Sequence, residues 1–136
     1  IEVPESGAEG IIVAEGGVSS GFALFMRDGK LVYHYNWFDE DRSEVVSTEP
    51  VPVGKSTVRM DFIYDGAAGE AGKGGSVTLS ANEQVIGRGQ VDKTVPARFG
   101  IDTFGIGEDT GAPVADSYDP PFPFTGTIDK VVVDLK

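Results

Sequence analysis

Hydrophobic and polar residues alternate with a period of two along most of the chain, the pattern of strands that bury one face. The clearest stretch is residues 21–37, GFALFMRDGKLVYHYNW. Phe22, Leu24 and Met26 share one face of a first strand, and Leu31, Tyr33, Tyr35 and Trp37 share one face of the next. Between them, Asp28-Gly29 predicts a two-residue type I′ turn, because both central positions of that turn need φ > 0. Residues 10–15 hold a short apolar run, expected to be buried on both faces. Residues 57–64 place Val58, Met60, Phe62 and Tyr64 on one face, and residues 76–81 turn Val77, Leu79 and Ala81 inward. Residues 127–135 predict a last strand, with Val131, Val133 and Leu135 on one face and Lys130, Asp134 and Lys136 mostly on the other.

No stretch of ten or more residues carries a 3.6-residue apolar period, and the spacing of Gly and Pro would interrupt one. About nine short strands, with turns roughly every 8 to 12 residues, predict an all-β fold of two antiparallel sheets with little or no helix. Residues 66–75, GAAGEAGKGG, read as a connection between strands. Residues 105–124 form a second long loop, expected on the surface.

The chain has 136 residues, enough for one domain with one core, so residues 1–136 are read as a single domain. There are 19 glycines, about twice the usual share, which suits many short strands and turns. The absence of cysteine removes disulfides, thiolate metal sites and a cysteine nucleophile. A formal net charge of −11 disfavours nucleic acid and anionic membrane surfaces as partners. No apolar run is long enough to predict a membrane-spanning helix.

Candidate chemistry is sparse. Gly72-Lys73 lacks the glycine and hydroxyl spacing of a phosphate loop and joins strand to strand. His34 is the only histidine, sits in mid-strand beside Val32 and Asn36, and reads as a partly exposed strand residue. Asp39, Glu40, Asp41 and Glu44 cluster among turn residues and read as a solvated loop. They do not form the pair of carboxylates on one strand face that a jelly-roll glycosidase needs, so a glycoside hydrolase is the weakest reading. Glu108, Asp109 and Asp116, with Asp102 just before them, could offer loop oxygens to calcium. The plainer alternative is an acidic turn in which Asp109 accepts from nearby backbone N–H groups. Tyr33, Tyr35 and Trp37 form an aromatic row that is either core or a sugar-stacking platform, with Trp37 and Tyr35 the ligand-binding candidates.

Six strings in register (GAEGIIVAEGG, GFALFMRDGKLVYHYN, GKSTVRMDFIYD, GKGGSVTL, GEDTGAPV and PFPFTGTIDKVVVDL) resemble the C-terminal β-sandwich of large bacterial arylsulfatases. The resemblance covers nearly the whole chain. It implies a jelly roll similar to the concanavalin A-like or laminin-G-like fold, following a sulfatase catalytic domain in the same chain. Relative to that pattern the first strand looks truncated, Asn82-Glu83 stands where Asp-Gly is usual, and Asp39, Glu40 and Asp41 make one link more acidic.

A sulfatase nucleophile derives from Cys or Ser in C/S-x-P-x-R. The nearest string here, Thr94-Val95-Pro96-Ala97-Arg98, begins with Thr and lacks accompanying metal ligands, so it reads as coincidence. The resemblance therefore implies a non-catalytic accessory domain that needs no cofactor. It would pack on the sulfatase domain, in a parent that is periplasmic or extracellular rather than cytoplasmic. A carbohydrate-binding, lectin-like module is the alternative, with a glycan as partner. A truncated first strand would also leave its neighbour with an unpaired edge, through which the fragment could form a homodimer.

Overall fold

The computed structural model describes residues 1–67, 69–95 and 104–134. Its strands are β1 (Glu2–Val3), β2 (Gly10–Gly16), β3 (Ser20–Arg27), β4 (Lys30–Trp37), β5 (Asp41–Val46), β6 (Gly54–Lys55), β7 (Val58–Tyr64), β8 (Gly75–Ala81), β9 (Gln84–Val91) and β10 (Phe104–Ile106). There is no helix among the described residues. A five-stranded sheet in the order β10-β2-β3-β4-β5 faces a three-stranded sheet, β7-β8-β9, and β1 pairs with β6. Every pairing between strands is antiparallel. The molecule is an all-β sandwich, as the alternation predicts.

The β3–β4 hairpin forms in the expected register, with Phe22 opposite Tyr35, Leu24 opposite Tyr33 and Met26 opposite Leu31. Asp28 and Gly29 both take positive φ, as a type I′ turn demands. The inner faces of the two sheets meet in one core. Met26, Leu31, Tyr33 and Val45 pack there against Val77, Leu79, Ile86 and Val91, with Val58, Met60 and Phe62 at the margin. A bulge between Ile11 and Val13 inserts Ile12 into β2. Ile12 and Val13 therefore both face this core, while Ile11 and Ala14 face the other way.

The outer face of the five-stranded sheet is not wet. Ile11, Ala14, Ala23, Phe25 and Val32 form a second core there with Val114, Ala115 and Tyr118. The connection after β10 folds back over the sheet: Glu108, Asp116, Asp119 and Pro120 are exposed, as expected of a surface loop, while Asp109, Val114, Ala115 and Tyr118 are buried, which corrects the expectation for residues 105–124 in part. Ile11 N–H donates to the Phe122 carbonyl at 2.9 Å, and Gly10 lies so close to the Pro123 carbonyl that a side chain would collide with it. Tyr118 and Phe122 stack with ring centroids 5.2 Å apart, and Phe25 meets both edge-on at 5.5 and 6.0 Å. These bulky rings supply the area that makes folding the loop inward favourable.

Two further expectations are corrected. Residues 41–46 form β5 despite their charge: Glu44 meets Arg27 and His34 across the sheet, Arg42 meets His34 and the Val114 carbonyl, and Asp41 pairs with Lys93. Residues 128–134 have no strand pairing among the described residues. Only Thr127 does, in an isolated antiparallel bridge to Glu2. Ile128 and Val131 touch the core margin, whereas Val132 and Val133 are 75% and 65% exposed. Thus Val133 does not join Val131 on a buried face, and Leu135 and Lys136 lie outside the described residues.

Candidate functional site

Tyr35 and Trp37 end the inner-face row that begins with Leu31 and Tyr33. The segment after β9 crosses above them. The Val95 N–H donates to the Tyr35 hydroxyl at 2.9 Å. The Lys93 ammonium sits 3.8 Å from the centre of the Trp37 ring and 2.7 Å from an Asp41 carboxylate oxygen. The Thr94 N–H and hydroxyl both donate to the Lys73 carbonyl, which ties this strap to the β7–β8 connection. The Phe38 and Trp37 rings stand nearly perpendicular, with centroids 4.7 Å apart. One Trp37 face thus already carries an intramolecular cation–π contact, where a sugar platform would need it bare. Of the string 94–98, Thr94 and Val95 serve in the strap, and residues 96–98 lie outside the described residues.

The polar cluster lies on the opposite face. His34 is buried rather than partly exposed, because its row (Val32, His34, Asn36) faces the second core. Its Nδ1 lies 3.0 Å from Glu44 Oε2, and its Nε2 lies 3.2 Å from Arg42 Nη1. A guanidinium can only donate, so Nε2 accepts and the Nδ1–H donates to Glu44. Arg42 Nη1 also donates to the Val114 carbonyl at 2.6 Å, and Nη2 to Asp39 at 2.6 Å. Arg27 donates to the second Glu44 oxygen at 2.9 Å. Partial burial pushes the Glu44 carboxyl up, but the hydrogen bonds and charge of Arg27 and His34 outweigh it and hold the group below its ordinary value. Asn36, wholly buried, donates to the Gly17 and Val18 carbonyls and accepts from the Asp39 N–H.

Asp109 is 2% exposed. It accepts the Tyr118 hydroxyl proton on one oxygen and the Gly111 N–H on the other, the latter at 3.3 Å. The Tyr118 hydroxyl also accepts from the Val114 N–H at 3.2 Å. Burial, and then the adjacent Asp109 carboxylate, push the Tyr118 phenol well above its ordinary value. Glu108 is exposed, and Asp116 lies 4.0 Å from Arg42. The three acidic candidates therefore do not converge. Among the described residues no three His, Cys, Asp or Glu side chains gather around a point that a metal ion could fill. Asp102 lies outside the described residues.

The aromatic and acidic candidates thus occupy opposite faces of one sheet and form no common site. His34 has a carboxylate and a guanidinium on its two nitrogens, leaving neither for a hydroxyl nucleophile. Sequence reasoning missed Arg42, Tyr118 and Asn36, which organise the outer face. Their signal was the second apolar row, Ala23, Phe25 and Val32, which needs a cover that the 107–124 loop supplies among the described residues.

A different surface feature stands out. Phe104 and Ile106 of β10 share the inward row of Val13, yet are 51% and 52% exposed. The five-stranded sheet is wider than the sheet it faces, so the inner side of its edge strand overhangs. Beside it runs an open groove of about 420 Å³, with Ile106, Phe124, Ile128 and Val131 among its walls. No family model, no curated protein and no solved structure matches the chain.

Proposed function

We propose that this sandwich is a non-catalytic accessory module of a sulfate-ester hydrolase, with jelly-roll connectivity, that packs against the catalytic domain and shapes the rim of its active site. The observation that carries the reading is the uncovered apolar notch at Phe104 and Ile106, set against polar clusters that are satisfied internally. A module that works by packing needs an apolar face for its neighbour and no reactive constellation of its own. The sulfatase identity of that neighbour rests on the resemblance of the six strings.

A carbohydrate-binding role is the alternative. It is weakened by Lys93 seated on Trp37 and by the strap bonded to Tyr35. The net charge of −11 also repels anionic glycans unless a cation bridges them. The test compares sulfate-ester hydrolysis by the longer polypeptide that contains this sequence with that of a form lacking it, each shown to be folded. Loss of turnover on small aryl sulfates supports the packing role. Unchanged small-substrate turnover with a fall on polymers transfers the assignment to glycan targeting. A longer polypeptide with no sulfate-ester activity sinks the sulfatase reading.

A further inference from the structure

The last segment meets β1 in one antiparallel bridge, Glu2 with Thr127. Glu2 and Thr127 exchange both backbone hydrogen bonds, at 2.7 and 3.0 Å. Beyond Thr127 the chain reads IDKVVVD, a β-branched run with high strand propensity, and none of residues 128–134 has a strand partner among the described residues. Val132 and Val133 stand in solvent. Such an unpaired edge is a template for a second strand.

We infer that residues 128–134 pair with the same segment of a second copy of this chain, antiparallel about a two-fold axis at Val132. The sequence is self-complementary in that register. Val132 faces Val132, Val131 faces Val133, and Lys130 of each copy faces Asp134 of the other, placing two opposite-charge pairs symmetrically around an apolar centre. A two-fold antiparallel pair must slip in steps that keep faces matched. One step either way sets Lys130 against Val132 or Asp134 against Val132, which loses both charge pairs.

The backbone geometry agrees. Thr127 spends both its polar groups on Glu2, so in an extended continuation the groups of Lys130, Val132 and Asp134 point to the opposite, open edge. These are the residues that become hydrogen-bonded pairs in the charge-matched register, for about six backbone hydrogen bonds per dimer. This interface rests on the strand edge and not on the Phe104–Ile106 notch, so it stands or falls separately from the sulfatase reading.

Sedimentation velocity on the chain from about 10 µM to about 1 mM tests it, the range suited to a small interface. The expected result is a mass rising from 14.3 kDa toward twice that value with concentration. Lys130→Asp should abolish the rise, since it places like charges opposite, and adding Asp134→Lys should restore it. Val132→Lys, on the axis, should also abolish it. Circular dichroism checks that each variant keeps its β spectrum; these side chains lie at the surface, outside the core. A strictly monomeric chain at every concentration overturns the proposal. A dimer that survives Lys130→Asp or Val132→Lys, or one not restored by the double reversal, overturns it as well.

Discussion

Single residues carry more of this fold than their exposure suggests, because several hold the backbone in left-handed conformations without glycine. Asn82 and Glu83 close the β8–β9 hairpin with φ of 51° and 69°. Asn82 compensates by accepting the Thr57 N–H at 2.9 Å, whereas Glu83 is exposed. Replacing Glu83 with Gly removes the Cβ penalty from the second position of a type I′ turn. Urea denaturation of Glu83→Gly should show a stability gain of about 1 kcal/mol.

Tyr118 lies at the other extreme. Tyr118→Phe leaves the buried Asp109 carboxylate short of a donor and should cost about 1–3 kcal/mol, read from the same unfolding curves. The pH dependence has a defined sign. A phenol raised above its ordinary value of 10.0 contributes stability that is fully present below pH 10 and is lost as pH rises above it. Burial likewise raises Tyr33, so Tyr118→Phe should shallow the alkaline fall without removing it. Glu44 behaves oppositely. Its lowered value makes its contribution present above its ordinary 4.5 and lost as pH falls below that. Glu44→Gln should flatten the acid limb of a stability–pH curve.

At the scale of elements, the sheets approach one another where β9 gives up side chains. A Cβ on Gly87 would stand 2.9 Å from the Ser47 Cα, and one on Gly89 would collide with the Val45 side chain. The Thr48 N–H then reaches the Ile86 carbonyl at 2.7 Å, stitching the end of β5 to β9. Gly87→Ala pushes on backbone that cannot move aside cheaply, and thermal unfolding should register a loss of about 1–3 kcal/mol.

The β3–β4 hairpin was legible because its turn chemistry and its alternation are local. So were Val77, Leu79 and Ala81, whose row is buried as expected. β5 was hidden by the charges of Asp41, Arg42 and Glu44, whose partners Lys93, His34 and Arg27 come from elsewhere in the chain. The inward fold of residues 107–124 was hidden because Val114, Ala115 and Tyr118 follow no period. Residues 127–134 show the reverse error. Their alternation is that of a strand, but a strand needs a partner, and alternation cannot say whether one exists. Glu108, Asp109 and Asp116 are neighbours in sequence and still point to three different environments.

For the molecule as a whole, the central strands of the five-stranded sheet are covered on both faces, by the second sheet and by the long loop, and the inner side of β10 overhangs. The polar groups that might have suggested chemistry are committed to holding the loop and the strap in place. The proposed docking surface is therefore the notch at Phe104 and Ile106, 51% and 52% exposed. For the proposed packing role, the most direct measurement is sulfate-ester turnover by a polypeptide joining this sandwich to the proposed sulfatase domain, with Phe104→Ser and Ile106→Ser introduced together. Both side chains are half-exposed, so the sandwich should keep its unfolding midpoint within a few degrees. The expected result is a clear fall in turnover with the midpoint retained. Turnover equal to that of the unaltered protein would contradict it.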